Sequence, residues 1–393
     1  MTRWFLGLLA LASVLASTVS GQAPTLQSSV EREFLSRIRR LTVEGRRAGE
    51  GYWAPNGQSM VFQSEREPGN PFYQIYRLNL TTGTSTRVSP GLGKTTCSFI
   101  NPITDDVLFA STHHDVRSKQ LQDEELAFRA SGKERRYAWD YDPEMEIYVR
   151  SSATGTLRRL TNALGYDAEA SYSPDGQWIA FSSTRDAYNR QLSAAEQKQL
   201  GVDPSYFGEI YLMRADADGT PPRRLTSVPG YDGGPFFSPD GAWIAYRTDR
   251  LEKDMLQIHV MKADGTGDLA VTAGQGVRWA PYWHPTKPWL IWTGADHSDP
   301  TKRPNYDLWI AGYDTADGTF RVGEPLRITD HEGADVLPAF SPDGTLLMWT
   351  ASRGEQAGGR GPTSQLWVSR LDLDEMGDAL DASSPGTTKG STP

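Results

Sequence analysis

A closed ring of six four-stranded antiparallel sheets, an all-β six-bladed propeller, is the architecture this sequence predicts, and three recurring markers predict it. The first is a turn. Ser173-Pro174-Asp175-Gly176 returns as Ser238-Pro239-Asp240-Gly241 and Ser341-Pro342-Asp343-Gly344, with degenerate copies at Ala54-Pro55-Asn56-Gly57, Asn101-Pro102 and His284-Pro285. The second is Arg-Arg-Leu-Thr at 39–42, 158–161 and 223–226, with looser versions ending at Val88-Ser89, Val271-Thr272 and Ile328-Thr329. The third is a turn at Gly83, Gly155, Gly219, Gly265 and Gly318. From the apolar residue of the second marker to the turn proline the distance is 14 residues each time: Leu41 to Pro55, Val88 to Pro102, Leu160 to Pro174, Leu225 to Pro239, Val271 to Pro285 and Ile328 to Pro342. A fixed period marks a repeat architecture, and four-stranded units repeated radially make a propeller.

Taken in chain order, the first element is a leader. Arg3 precedes an apolar run from Trp4 to Leu15, and Gly21-Gln22-Ala23 supplies small residues, so 1–23 reads as a secretory signal cleaved after Ala23. The run is too short to span a bilayer comfortably, so no membrane span is expected after cleavage. Residues 24–37 read as a linker, 38–373 as the propeller and 374–393, rich in Asp, Gly, Ser, Thr and Pro, as a disordered tail.

Within each repeat, strand a ends at the proline turn, b follows, c ends at the glycine turn and d is the Arg-Arg-Leu-Thr element. Proline presets φ at the first turn position, Asp tolerates the second, and Gly takes the left-handed one. The sixth unit has a, b and c (Leu366 to Leu371) but no d strand after it, whereas Arg39-Arg40-Leu41-Thr42 has no a, b or c before it. The N-terminal segment is therefore expected to complete the last blade.

The formal charge of −9, from 40 basic and 49 acidic residues, argues against nucleic acid as a partner. The single cysteine, Cys97, excludes an intrachain disulfide and a cysteine-rich metal site. Length variation falls between strands b and c, at 113–143, 186–208, 295–305 and 353–363, so one face is decorated and the other plain. Residues 116–136 and the capping box at Ser193 and Glu196, with Gly201 as its stop, predict helices in these insertions. Loops on a rigid scaffold carry function.

Seven residues before the turn prolines stand Ala48, Thr95, Asp167, Asp232, Arg278 and Asp335. They are expected to ring the decorated mouth. Asp167, Asp232, Arg278 and Asp335, with Glu169, Trp139 and Tyr141, form the expected ligand-facing set; Tyr188, Tyr206 and Phe207 are further aromatics of the insertions. His113, His114, His297 and His331 map to the same face, and histidine with carboxylate is the kit for a divalent metal, the one cofactor this set would take. His113, Asp167, Asp232 and Asp335 are expected to converge. There is no nucleophile elbow, no H-E-x-x-H and no phosphate-binding loop, so no catalytic residue is assigned and binding is favoured over catalysis.

The Ser-Pro-Asp-Gly turn, the c strand Glu209-Ile210-Tyr211-Leu212-Met213 with Asp218-Gly219, and the closing Arg-Arg-Leu-Thr resemble the repeats of the TolB-type propeller family (PD40 or WD40-like), over residues 38–373. TolB itself carries an additional α/β domain before its propeller, and residues 24–37 leave no room for one. Trp139 to Pro143 also resembles a segment of exported TolB-like propellers. The resemblance implies a periplasmic or secreted scaffold that binds a protein, peptide or polysaccharide at the decorated face. The alternatives it implies are a metal-assisted carbohydrate lyase or hydrolase, or a propeller regulating a separate peptidase.

Overall fold

The computed structural model describes residues 29–133, 139–299, 301–354 and 363–382; the expected signal segment 1–23 lies outside them. Six antiparallel sheets follow one another around a central channel. Blade 1 consists of 48–53, 59–64, 74–79 and 85–87; blade 2 of 95–100, 107–111, 146–150 and 157–159; blade 3 of 167–172, 178–183, 209–214 and 223–224. Blade 4 comprises 232–237, 243–248, 257–262 and 269–270; blade 5 comprises 276–283, 289–296, 307–314, 321–322 and 326–327. Blade 6 takes 335–340, 346–351 and 365–371 from the C-terminal part, and Leu35–Arg40 is its fourth strand. The register is Leu35 to Leu371, Ser36 to Arg370, Arg39 to Val368 and Arg40 to Trp367, so the ring closes as the orphan segment implies.

The turn marker has a local chemical reason. Ser173 Oγ donates to Asp175 Oδ1 at 2.5 Å, Asp175 Oδ1 accepts the Gln177 N–H at 3.0 Å, and Ser173 Oγ accepts the Trp178 N–H at 3.0 Å. Gly176 sits at φ +69°, where a Cβ is strained. The same contacts recur at Ser238–Asp240 and Ser341–Asp343. His284 substitutes for the serine by accepting the Thr286 and Lys287 N–H groups at Nδ1 and donating from Nε2 to Gly344 O at 3.1 Å, which ties blade 5 to blade 6. Burial pulls its pKa down to about 4, so it is a neutral structural imidazole.

The Arg-Arg-Leu-Thr marker is a blade-sealing device. Its hydroxyl accepts the second N–H of strand c in all six blades: Thr42 from Leu366, Ser89 from Ile75, Thr161 from Ile147, Thr226 from Ile210, Thr272 from Ile258 and Thr329 from Leu308, at 2.9–3.0 Å. The second arginine turns back onto the backbone carbonyl of that threonine, as Arg40, Arg159, Arg224 and Arg327 do. Three of these arginines also meet the acid that opens strand c: Arg159 with Glu146, Arg224 with Glu209 and Arg327 with Asp307. The edge strand is thus sealed by side chains where its ladder is only two or three residues long.

Two helices correct the expected linker and tail. Ser29–Phe34 and Leu373–Ala382 are helical, and Phe34, Leu35, Met376 and Leu380 share one buried cluster with Ile328, Trp289 and Trp349. Residues 374–382 are therefore part of the folded body, because Met376 and Leu380 lie four apart on one helical face and are buried; 383–393 lie outside the described residues. Closure strand residues begin at Leu35 rather than 38. The insertions carry the helices Ser118–Ala130, Arg185–Asn189 and Ala194–Val202, the last with both halves of the Ser193–Glu196 capping box; it runs one residue past Gly201. No helix among the described residues is long and apolar enough to cross a membrane.

Candidate functional site

Strand a lines the channel, and in every blade it carries a bulge. Pairing with strand b is interrupted between Gly49 and Tyr52, Thr96 and Phe99, Ala168 and Ser171, Gly233 and Phe236, Trp279 and Tyr282, and Val336 and Ala339. The residue five before each turn proline adopts left-handed φ: Glu50 (47°), Cys97 (53°), Glu169 (56°), Gly234 (59°), Ala280 (52°) and Leu337 (57°). Five of the six have a Cβ, so the strain is held by the surrounding fold. A bulge re-aims side chains, and here all six ring residues line one cavity of about 190 Å³.

Below the ring the channel is stoppered. Tyr52, Phe99, Phe236 and Tyr282 pack with ring centroids 5.1–5.9 Å apart. On the plain side of this stopper all six turn prolines line a separate cavity of about 300 Å³. The upper cavity is a blind pocket facing the decorated side, with Gln63, Tyr73, Trp139 and Ser364 among its walls. Trp139, where the description of the blade 2 insertion resumes, is also a wall of a second cavity of about 180 Å³ with Phe72, Lys94 and Arg129.

The charges in the pocket are few and specific. Glu169 accepts from Tyr231 Oη at 2.6 Å, Tyr166 Oη at 3.2 Å and Arg247 Nη2 at 2.8 Å. Tyr166 Oη in turn accepts the Trp139 indole N–H at 3.0 Å, and Tyr231 Oη accepts from Arg247 at 2.9 Å. Tyr141 packs edge-on against Tyr166 and Tyr231. The Arg247 guanidinium also lies over the rings of Tyr231 and Trp279. Burial opposes its charge, but Glu169 and the tyrosines outweigh burial and raise its pKa. Glu50 is buried, with 9% of its surface exposed; its backbone N–H donates to Thr350 Oγ1 at 2.8 Å and its carboxyl group meets the Cys97 thiol. Burial first, then the charge of Glu169, push Glu50 up to about 7, against the pull of Arg247 and the thiol. Burial and the two glutamates raise the Cys97 thiol well above its ordinary value, which keeps it a neutral donor.

Of the expected ligand-facing residues, the structure brings Glu169, Trp139 and Tyr141 to this pocket or its immediate wall. The three aspartates lie elsewhere. Asp167, Asp232 and Asp335 are fully buried and paired with Arg185, Arg250 and Arg353, each arginine standing on the strand b side of the same blade. Arg353 also binds Glu31 of the N-terminal helix. Blade 5 has the polarity reversed: Arg278 holds the aspartate position and Asp296 the arginine position, and Asp296 raises the Arg278 pKa against the larger lowering by burial. These residues seal hairpins, and the expected convergence of His113, Asp167, Asp232 and Asp335 at one mouth does not occur in this geometry.

The histidines are also dispersed. His113 Nδ1 meets Ser111 Oγ, and His114 Nδ1 meets Tyr148 Oη at 3.0 Å with Nε2 3.4 Å from Glu144. Burial, with His114 and Arg159, lowers His113 to about 4. His297 lies beside Tyr306, and His331 Nδ1 accepts the Gly333 N–H. Among the described residues no three His, Cys, Asp or Glu side chains group so as to hold a metal ion. Tyr206 and Phe207 pack edge-on against each other, and Tyr188 is half-buried.

Glu50, Arg247, Tyr166, Tyr231 and Trp279 were missed by sequence reasoning. A positional signal exists for two of them. Glu50 shares the ring position with Glu169, five before the proline. Arg247 occupies the strand b position held elsewhere by Gln63, Ala110, Ser182, Thr293 and Thr350, so it is the one charged side chain in a set otherwise uncharged.

No family model matches the chain. An uncharacterized protein of Agrobacterium fabrum is 26% identical over 262 residues, covering 59% of this chain and 80% of the relative. A protein TolB homolog of Chlorobium luteolum is 32% identical over 129 residues, covering 27% of this chain and 29% of that relative, so the chain spans under a third of its length. Among solved structures, an oligogalacturonate lyase in complex with manganese aligns with TM-score 0.50 at 14% identity over 86% of this chain and 94% of that one, a likeness of fold alone. The chain is a six-bladed β-propeller closed by its N-terminal strand, similar in sequence over part of its length to the TolB homolog.

Proposed function

We propose that this chain is a binding propeller, exported to the periplasm or beyond, whose decorated face admits part of a peptide or small ligand into the blind central pocket. The observation that carries the reading is the pocket itself: a cavity of about 190 Å³, stoppered by four aromatics, that buries Glu50, Glu169 and Arg247 beneath Trp139. Concave sites with mostly apolar walls and a few converging polar groups are the usual form of ligand sites. Five strained ring residues and a hydrogen-bonded Tyr–Glu–Arg–Trp network hold those groups before any ligand arrives, which lowers the ordering cost of binding. Trp139 joins this pocket to the neighbouring cavity between blades 1 and 2, so a ligand longer than the pocket has a path across the face.

The test is retention of a mixture of random short peptides by the wild type and by Leu337→Trp. Leu337 lines the pocket and already occupies left-handed φ, so the larger side chain fills space without a new backbone demand. Peptides retained by the wild type and lost in the variant, with quenching of indole fluorescence, are the expected result. Retention indifferent to Leu337→Trp, or no retention at all, overturns the pocket as the binding site.

A further inference from the structure

The pocket holds more acid than base. Arg247 is committed to Glu169, which it meets at 2.8 Å, and both are further bound to Tyr231. Glu50 lies across the ring with the neutral Cys97 thiol as its side-chain hydrogen-bond partner, and among the described residues no cation is within ion-pair range of it. It is nine-tenths buried and lines the cavity. A buried carboxyl group without a counter-charge is a costly thing to keep, and ionising it needs a cation. The other walls include the rings of Tyr52, Trp139 and Trp279 and the aliphatic Leu337, Val336 and Ala280, with uncharged polar side chains among the rest. Aromatic faces attract a desolvated cation, and aliphatic walls accept its stem.

Two other ligand types fit less well. An anion would meet Arg247, whose charge Glu169 already balances, and would face two carboxyl groups. A bare divalent metal would lack ligands, since no group of three donors exists among the described residues.

We propose that the central pocket is a receptor for a primary ammonium group on a short alkyl stem, seated between the Glu50 carboxylate and the aromatic walls. This rests on reading the pocket as the binding site. The ammonium can be that of a free alkyl amine or one presented by a peptide, as a lysine side chain or an amino terminus. Cation entry ionises Glu50 and displaces its proton, so binding near neutral pH releases protons to the buffer. The groups facing Glu50 are Glu169, Arg247, Cys97 and Tyr52; burial, then the charge of Glu169, holds the Glu50 carboxyl at about 7.

The experiment is calorimetry near pH 7 with four probes: n-butylamine, butyrate, a Gly-Ser peptide with one lysine and an acetylated amino terminus, and the same peptide without lysine. The expected result is amine binding that exceeds butyrate binding at least about tenfold, a heat that varies with buffer ionisation enthalpy through proton release, and at least about tenfold weakening in Glu50→Gln, a difference of about 1.4 kcal/mol. Glu50→Gln keeps the shape and removes the buried charge, so it folds; Glu50→Asp should retain part of the preference. Lysine-peptide binding equal to n-butylamine assigns the physiological amine to a chain, and binding confined to n-butylamine assigns it to a free amine. Butyrate binding as tightly as the amine, unchanged amine binding in Glu50→Gln, or absent proton release overturns the proposal. If random peptides are retained through the pocket, as judged by Leu337→Trp, yet the amine probes do not bind, the ammonium assignment fails while the pocket stands.

Discussion

At the scale of single residues, Glu50 ties stability to pH. Its pKa rises from an ordinary 4.5 to about 7 on folding, so the folded chain holds this proton more tightly than the unfolded one. Stability from this group is fully present below about 4.5 and is lost as pH rises through about 7, on the order of 3 kcal/mol in all. Glu50→Gln should therefore melt higher than the wild type at pH 8 and the two should converge near pH 4.5, in thermal unfolding followed by far-UV circular dichroism. A gap that widens on acidification would contradict the sign. Arg353 carries a second residue-scale expectation. It is buried between Glu31 and Asp335, so Arg353→Met leaves two carboxylates without their cation. The expected loss is about 3–5 kcal/mol, with partial recovery in Arg353→Met/Asp335→Asn, measured by denaturant titration.

At the scale of the element, the d-strand hydroxyl is the recurrent joint of each blade. Thr226→Val removes the acceptor of the Ile210 N–H and a donor to Glu209 while keeping the shape. A buried N–H left unpaired costs about 1–3 kcal/mol. The loss should be local, seen as faster amide exchange of Ile210 and Leu225 with blade 1 amides unchanged. The aspartate–arginine pairs act at the same scale, between strand a and the end of strand b. Blade 5 has Arg278 and Asp296 in exchanged places, whereas blades 1 and 2 have the uncharged Ala48 and Thr95 at the strand a position. Arg278→Asp or Asp296→Arg should each destabilise, and the double exchange should recover much of the loss.

At the scale of the molecule, closure is supplied by Leu35–Arg40 and braced by the two terminal helices. The Asp372 N–H donates to Phe34 O at 2.9 Å, and the Glu31–Arg353–Asp335 network ties the N-terminal helix to blade 6. Removing residues up to Thr42 leaves blade 6 with three strands and strips the cover from Trp349 and Met376. The melting temperature should fall by more than any single substitution above produces, and unfolding should broaden as nearest-neighbour coupling around the ring is cut. A sharp transition at the wild-type temperature would show that the closing strand is dispensable.

The fold was legible in the sequence because its signals are local. The proline turn, the glycine turn and the Arg-Arg-Leu-Thr segment are each satisfied by hydrogen bonds within a few residues or to the adjacent strand, so their spacing reports the blades directly. The orphan segment at 39–42 reported closure for the same reason. The site was only partly legible. Asp167, Asp232 and Asp335, seven residues before the turn prolines, were expected at the mouth. The bulge adds a residue in each strand a, and it brings the position two residues later, Glu50 and Glu169, into the channel. That bulge has no residue signature, since Glu, Cys, Gly, Ala and Leu all occupy it. Arg247 reaches Glu169 from the neighbouring blade, 78 residues away, a meeting that only ring closure decides. The helix at 373–382 was read as tail because its composition is polar; its Met376 and Leu380 find their burial against blades 5 and 6 and the N-terminal helix, which the tertiary structure alone supplies.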